Sequence, residues 1–363
     1  MTDIAFVIEG MGGGGAQQVL ARVAESLIEN GKSVTLITFR PKSEDQVFVP
    51  TSVVRIVAGA VKRRSFPLAG VAANLTRISR LRKAIVASAA PVIVGMVGTT
   101  NILVILASLG LKRRVVISER NDPSRQSLGW IWDYLRKRLY PCADLVTANS
   151  DFAVVALKRF VPPERVLYLP NPVRRRSSRE VAPKFGPTLL AVGRLHEQKG
   201  YDFLLEGFAQ FAKRFPEWRL RILGDGSLRR ILVDQAAFLG IADRVEWAGY
   251  CADPFPHYFG CDVFVMTSRF EGTPNALLEA MSCALPSVIS DELPGAVALI
   301  RDGENGFIYR AGSVENLVSA LCRLAGEELL RRRLGVEAAR NEALDSRCAI
   351  AAWESGLFSN ADI

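Results

Sequence analysis

The stretch TLLAVGRLHEQKG, residues 188–200, sets an apolar strand pattern (Thr188–Val192) directly before a Gly-Arg pair and a Lys-Gly pair that opens a helical pattern. A short apolar run, a glycine turn and then amphipathic periodicity describe a parallel strand feeding a crossover helix. The residues before it have the opposite character. Residues 171–187, NPVRRRSSREVAPKFGP, are rich in Pro, Arg and Ser and lack apolar periodicity, so they read as a linker. The 188–200 stretch therefore restarts an α/β pattern.

The same alternation runs through the chain on both sides. Before the linker, strands are expected at Ile4–Ile8, Ser33–Thr38, Val53–Ile56, Val92–Val97, Arg114–Ser118 and Leu145–Ala148. After it they are expected at Thr188–Val192, Leu220–Leu223, Val245–Ala248, Val263–Thr267, Ser287–Ser290 and Gly306–Tyr309. Most are followed by helical stretches, which predicts an α/β fold of two Rossmann-like, doubly wound parallel sheets. The expected division is 1–170, the linker 171–187, a second domain 188–345 and a tail 346–363. Its helix, from about Ser346 to Leu357, is long enough to pack back across the first domain. Two such sheets imply a cleft, with ligands beyond the carboxyl ends of the strands.

Charge is unevenly placed. Residues 1–170 carry 23 Lys and Arg against 12 Asp and Glu, whereas the remainder carries 23 against 25. The excess gathers at Lys62–Arg64, Arg77–Lys83, Lys112–Arg114 and Arg136–Arg138, and surface of this kind attracts phosphate in lipid headgroups, nucleic acid or a diphosphate substrate. Solvated helix faces account for any one cluster but explain the asymmetry between halves poorly. No aromatic stacking motif or helix-turn-helix pattern supports a nucleic-acid partner.

The six cysteines are scattered without the paired spacing that zinc or a redox dithiol requires, and the chain has only two histidines, so no metal site is expected. Reduced thiols and the absence of a basic n-region before the first strand suggest a cytoplasmic protein. Residues 92–111 are uncharged over nearly a bilayer's width, but Thr99, Thr100 and Asn101 interrupt them, so a strand, a turn and a helix from about Asn101 are expected there.

Three places carry the polar groups of a site. Gly10–Gly15 (GMGGGG) lies between the first strand and a helix from about Ala16, where glycines admit a phosphate or a close substrate, or simply make a tight turn. Residues 35–40 (TLITFR) supply no acidic group to hold a ribose, so a dinucleotide is disfavoured. Arg194 and Lys199, at a strand end and helix start, either converge on a diphosphate or are ordinary surface charges. In FEGTPNALLE (270–279), Thr273 reads as an N-cap and Pro274 as the first helical residue. Glu271 in the loop and Glu279 in the second turn, on the side of Asn275, offer acceptors to sugar and ribose hydroxyls.

With these motifs in place the chain resembles the retaining glycosyltransferases of family 4, which have the two-domain GT-B fold. The resemblance rests on Glu271 and Glu279, on Gly193-Arg194 with Lys199-Gly200, on Gly224-Asp225-Gly226, on Asn171-Pro172 and on Gly14-Gly15-Ala16, and it covers essentially the whole chain. It implies that Arg194 and Lys199 hold the donor diphosphate, Glu279 the ribose, and Glu271 the hydroxyls of the transferred sugar. The backbone of Thr273, Pro274, Asn275 and Ala276 would contact phosphate and sugar. Gly14, Gly15, Gly193, Gly224, Gly226 and Asn171 join the substrate-binding set.

Where relatives often carry histidine after Ser-Glu, this chain has Arg120, a permanent cation that binds a sugar oxygen or phosphate but is no base. Gln17 stands where an acidic residue is usual. The implied co-substrate is a UDP- or GDP-sugar of a hexose or N-acetylhexosamine, used without metal and with retention of configuration. The implied acceptor is a glycan, on polyprenyl diphosphate at the inner face of the cytoplasmic membrane, reached through the basic first domain with Trp130 and Trp132 beside Arg136–Arg138. A nucleotide-sugar epimerase of the same fold is the alternative enzyme, and a phosphate- or nucleic-acid-binding protein the alternative without catalysis.

Overall fold

A computed structural model describes residues 2–59, 67–174 and 185–358 of the chain. Two compact units form: Met1–Pro172 together with Arg347–Ile363, and Val173–Ser346. The basic cluster Lys62–Arg64 and most of the expected linker lie outside the described residues.

The first unit runs β1 (Ile4–Ile8), α1 (Gly15–Glu29), β2 (Val34–Thr38), β3 (Val54–Val57), α2 (Pro67–Ser88), β4 (Val92–Met96), α3 (Gly98–Ser108), β5 (Arg114–Glu119), α4 (Trp130–Leu139), β6 (Leu145–Ala148), α5 (Asp151–Leu157) and β7 (Val166–Tyr168). These strands form one parallel sheet in the order β3-β2-β1-β4-β5-β6-β7. Strand β1 is buried throughout, as a strand covered on both faces must be, and its side chains alternate between two helical layers. Ile4, Phe6 and Ile8 meet Leu20, Val23 and Leu27 of α1. Ala5 and Val7 belong to the opposite layer with Leu81 and Ile85 of α2 and Ile102 and Leu103 of α3.

The second unit runs β8 (Thr188–Val192), α6 (Tyr201–Arg214), β9 (Arg219–Leu223), α7 (Arg229–Phe238), β10 (Val245–Gly249), α8 (Phe255–Gly260), β11 (Val263–Met266), α9 (Asn275–Ser282), β12 (Ser287–Ser290), α10 (Pro294–Val297), β13 (Gly306–Tyr309), α11 (Val314–Gly326) and α12 (Glu328–Ala338). Its strands are parallel in the order β10-β9-β8-β11-β12-β13. Leu189 and Ala191 pack beneath α6 and α11 through Leu204, Phe208 and Leu317, while Leu190 faces α9 through Leu277 and Met281. The α/β class and two doubly wound parallel sheets expected from the sequence are both present.

The last helix, α13 (Ser346–Phe358), sends Trp353 and Leu357 into the core of the first unit beside Ile4 and Phe6. The Trp353 indole Nε1 donates to the carbonyl of Pro170 at 2.9 Å.

Several details differ from the sequence reading. Strand β7 was not expected, because it is three residues long and lies at the sheet edge with Leu167 and Tyr168 exposed, leaving no apolar run to detect. Phe185, placed in the linker by composition, packs on the second unit, with the Arg221 guanidinium 3.4 Å from its ring centroid. Residues 92–111 divide into β4 and α3 around Val97, whose φ of 71° breaks the run. Among the described residues no helix is long and apolar enough to cross a membrane.

Candidate active site

Each sheet reverses its winding direction once, between β1 and β4 in the first and between β8 and β11 in the second. Loops leaving such a pair diverge and open a crevice at the carboxyl ends, which is where sheets of this kind hold ligands. The motifs singled out in the sequence follow three of these four strands: Gly10–Gly15 follows β1, Gly193–Gly200 follows β8, and Phe270–Glu279 follows β11.

In the second unit the turn after β8 is shaped by glycines. Gly193 has φ 152° and Gly224, after β9, has φ 143°. A Cβ on Gly224 would stand 2.0 Å from the Gly193 carbonyl oxygen, and one on Gly226 would stand 2.4 Å from that of Leu195. The bare backbones let the two turns bond, Gly193 N–H to Leu223 O at 2.9 Å and Leu195 N–H to Asp225 O at 3.0 Å. Gly193, Gly224 and Gly226 thus fix the backbone on either side of Arg194. Its side chain is exposed and makes no hydrogen bond or ion pair among the described residues.

Lys199 ends a short 3-10 turn (Glu197–Lys199) and is followed by Gly200 at φ 63°. The Thr267 hydroxyl, just past β11, donates to the carbonyls of Lys199 and Gly200 at 3.1 and 3.0 Å. This contact brings the β8 and β11 loops together, and Lys199 Nζ reaches Glu271 Oε1 at 2.5 Å. Both side chains are largely buried, 16% and 10% exposed. The sequence reading aimed Lys199 and Arg194 together at a diphosphate. The structure pairs Lys199 with a carboxylate and leaves Arg194 unengaged among the described residues.

Helix α9 starts one residue later than expected: Asn275 is its first residue and Pro274 its N-cap, extended at φ −79° and ψ 118°. Proline has no side-chain acceptor, so the N-cap residue itself supplies no bond to the free N–H groups of this end. Thr273 lies before the cap, in a loop pressed closely by α10, since a Cβ on Gly295 would meet the Gly272 carbonyl oxygen at 2.2 Å. Asn275 is half-buried, and Ala276 is half-buried against the core. Glu279, in the second turn, is 3% exposed and accepts a hydrogen bond from the Tyr258 hydroxyl of α8 at 3.1 Å. Burial, with Glu279 alongside, raises the Tyr258 pKa well above its ordinary value and keeps it a donor.

In the first unit Gly14 is the N-cap of α1 with no side-chain bond, and Gly15 opens the helix. The preceding loop is held by two glutamines: Gln17 Nε2 donates to Gly10 O at 3.3 Å, and Gly13 N–H donates to Gln46 Oε1 at 2.9 Å. Gln46 carried no signal in the sequence, being 33 residues away from its partner.

Arg120 turns inward. It is 7% exposed, donates to the Leu169 carbonyl at 3.4 Å and to Asn171 Oδ1, and lies 5.4 Å from the Trp353 ring centroid. Burial pushes its pKa down to about 9, still cationic at neutral pH. Asn171 is itself buried and also accepts from Asn149 Nδ2 at 3.4 Å. The expected contact of Arg120 and Asn171 with substrate meets two groups engaged with each other. The physical reason is the indole of α13, which offers the guanidinium an apolar face that no local pattern reveals.

The basic clusters separate likewise. Arg136, expected with Lys137 and Arg138 on a surface, is buried, bonded to Asp133 Oδ1 and Pro123 O at 2.9 Å each, and Trp132 packs on the core. Trp130, Ile131, Tyr134, Lys137 and Arg138 remain on the outer face of α4, Trp130 being 82% exposed. Arg77 pairs with Glu9, and Arg82 donates to the carbonyls of Ala107 and Leu109 at 3.0 and 2.6 Å. Among the described residues no group of three or more His, Cys, Asp or Glu is placed to hold a metal ion.

Comparison with known proteins agrees with this arrangement. Residues 14–172 match the Glycosyl transferase 4-like domain, and residues 186–327 match Glycosyl transferases group 1. Together the two matches span most of the chain, which belongs to the group 1 glycosyltransferases with a 4-like first domain. The chain is 28% identical over 342 residues, 92% of each chain, to a Campylobacter jejuni α-1,4-N-acetyl-D-galactosaminyltransferase named for a diphosphoundecaprenol-linked acceptor. It is 33% identical over 196 residues to the Escherichia coli lipopolysaccharide 1,6-galactosyltransferase, covering 51% of this chain and 54% of that one. The crystal structure of Anabaena HepE in complex with UDP and glucose superposes with a TM-score of 0.82 at 20% identity, covering 98% of this chain and all of HepE.

Proposed function

We propose that this glycosyltransferase moves a hexose or N-acetylhexosamine from a UDP- or GDP-sugar to a glycan carried on polyprenyl diphosphate, in cell-surface polysaccharide or oligosaccharide assembly. The observation that carries the reading is the grouping of Arg194, the Lys199–Glu271 pair and the start of α9, whose proline N-cap offers no acceptor, around the switch point between β8 and β11. The Campylobacter relative's named acceptor supports the lipid-linked class.

The difficult charge in such a transfer develops on the departing nucleoside diphosphate. Arg194 supplies an unengaged cation, and α9 offers the positive end of its dipole. Lys199, shared with Glu271, approaches phosphate while Glu271 accepts from a hydroxyl of the sugar. Glu279 accepts from the ribose hydroxyls, held in place by Tyr258. With cations and a helix end already aimed at the diphosphate, no metal is needed. The leaving phosphate takes the proton of the acceptor hydroxyl on the same face of the sugar, so the anomeric configuration is retained.

The outer face of α4, with Trp130, Tyr134, Lys137 and Arg138, suits the anionic inner face of the cytoplasmic membrane, where aromatic rings settle at headgroup depth and cations meet phosphate. The enzyme acts there as a peripheral protein.

Incubation with a nucleoside diphosphate sugar, with and without a polyprenyl-diphosphate glycan, tests the reading by product analysis. A new α-linked sugar on the acceptor is expected. Conversion of donor alone to its epimer, or a product of inverted configuration, would refute it.

A further inference from the structure

The ladder joining β8 to β11 is short, pairing Leu189 with Val263 and Leu190 with Phe264, and it ends before either functional loop begins. Something else must align Lys199 with Glu271. Besides the Thr267 hydroxyl, four contacts do so. Arg269 N–H donates to Gln198 O at 2.7 Å, and the Gln198 side-chain amide Nε2 donates to Phe270 O at 2.9 Å. The Arg269 guanidinium donates to the carbonyl of Glu197 and to Asp202 Oδ2, the latter at 2.6 Å. The residues immediately before Lys199 are thereby stitched to the residues immediately before Glu271.

We infer that Gln198 and Arg269 are positioning residues that hold Lys199 and Glu271 at a fixed separation for the donor diphosphate and its sugar. The inference rests on the donor-binding roles proposed above for that pair. Gln198 is 6% exposed, so its amide is committed to the protein and withheld from solvent. Removing its N–H group leaves the Phe270 carbonyl without that donor and frees the Glu271 loop to shift. Arg269 works from the outside, half-exposed, clamping the turn that carries Lys199 from Glu197 to Asp202. Displacement of a reacting or binding group by about 1 Å costs roughly a hundredfold in rate.

The test compares Gln198→Met, which keeps the volume and removes the donor, with Arg269→Gln, Arg269→Lys and Lys199→Ala. Each is assayed for the Michaelis constants of both substrates, for turnover, and for binding of UDP against UMP and GDP against GMP. In Gln198→Met and Arg269→Gln, donor kcat/KM should fall by roughly tenfold to a hundredfold with acceptor KM unchanged. Preference for the diphosphate over the monophosphate should fall by a similar factor, and Arg269→Lys, which keeps a donor, should recover part of the loss. Should Gln198→Met fail to fold, the two variants at exposed Arg269 carry the test alone. Wild-type donor kinetics in the folded variants, alongside a large loss in Lys199→Ala, would overturn the positioning role and leave the site reading standing. Full activity in Lys199→Ala would take both down.

Discussion

The Lys199 ammonium and the Glu271 carboxylate stand 2.5 Å apart across the loops that follow two neighbouring strands. Each side chain is more than four-fifths buried, so water solvates neither fully and each is the other's ionic partner. A lone partner in this setting is a charge removed from water without compensation. Lys199→Ala or Glu271→Gln should each cost about 1 to 3 kcal/mol of stability. Lys199→Ala combined with Glu271→Gln should cost less than the sum, with a coupling of about 0.5 to 3 kcal/mol. Urea denaturation of the four proteins gives the comparison, and strict additivity would show that the pair is not energetically linked.

Arg194 has the opposite character, exposed and unengaged among the described residues, so its removal should spare the fold and injure the reaction. Arg194→Ala is expected to change stability by no more than about 0.5 kcal/mol. Its turnover should fall roughly a hundredfold to a thousandfold, as for loss of one preorganised donor to a developing anion. Steady-state kinetics beside a thermal melt separates the two effects.

Glu119 ends β5 almost wholly buried, accepting from the Tyr140 hydroxyl, and burial raises its pKa above the ordinary range although its hydrogen bonds oppose the shift. A carboxyl raised in the folded state stabilises fully below its unfolded pKa of about 4.3 and loses that contribution as pH climbs through the folded value. Glu119→Gln lacks the titration, so its melting temperature relative to wild type should rise as pH climbs from that point through the raised folded value. A difference independent of pH would contradict the burial account.

Trp353 joins the last helix to the first unit by its buried ring and by its bond to Pro170. Trp353→Ala should destabilise by about 3 to 5 kcal/mol. Trp353→Phe, which keeps a ring but leaves the Pro170 carbonyl unpaired, should cost about 1 to 3 kcal/mol. Chemical denaturation followed by circular dichroism checks both.

The legible part of this protein was local in sequence. Apolar runs such as Ile4–Ile8 and Ser287–Ser290 declare buried strands without help from elsewhere, and glycines at 193, 224 and 226 mark turns where backbones must touch. What the sequence withheld depends on partners far apart in the chain. Arg120 looks like a free cation until Trp353, 233 positions later, is known to cover it. Arg136 looks like part of a basic surface until Asp133 and the Pro123 carbonyl claim it. Gln198 and Arg269 are ordinary polar residues in sequence and acquire a role only because β8 and β11 are neighbours. The α9 boundary moved by one residue because Pro274 adopts an extended conformation, making it the cap instead of the first turn.

Thermal melting against UDP-sugars and GDP-sugars, run in parallel on wild type, Arg194→Ala and Glu279→Ala, tests the central claim most directly. A ligand that binds only the native state raises its melting temperature in step with affinity. The account predicts that at least one nucleoside diphosphate sugar stabilises the wild-type protein and that the shift collapses in both variants. No shift with any of them, or an equal shift in all three proteins, would contradict it.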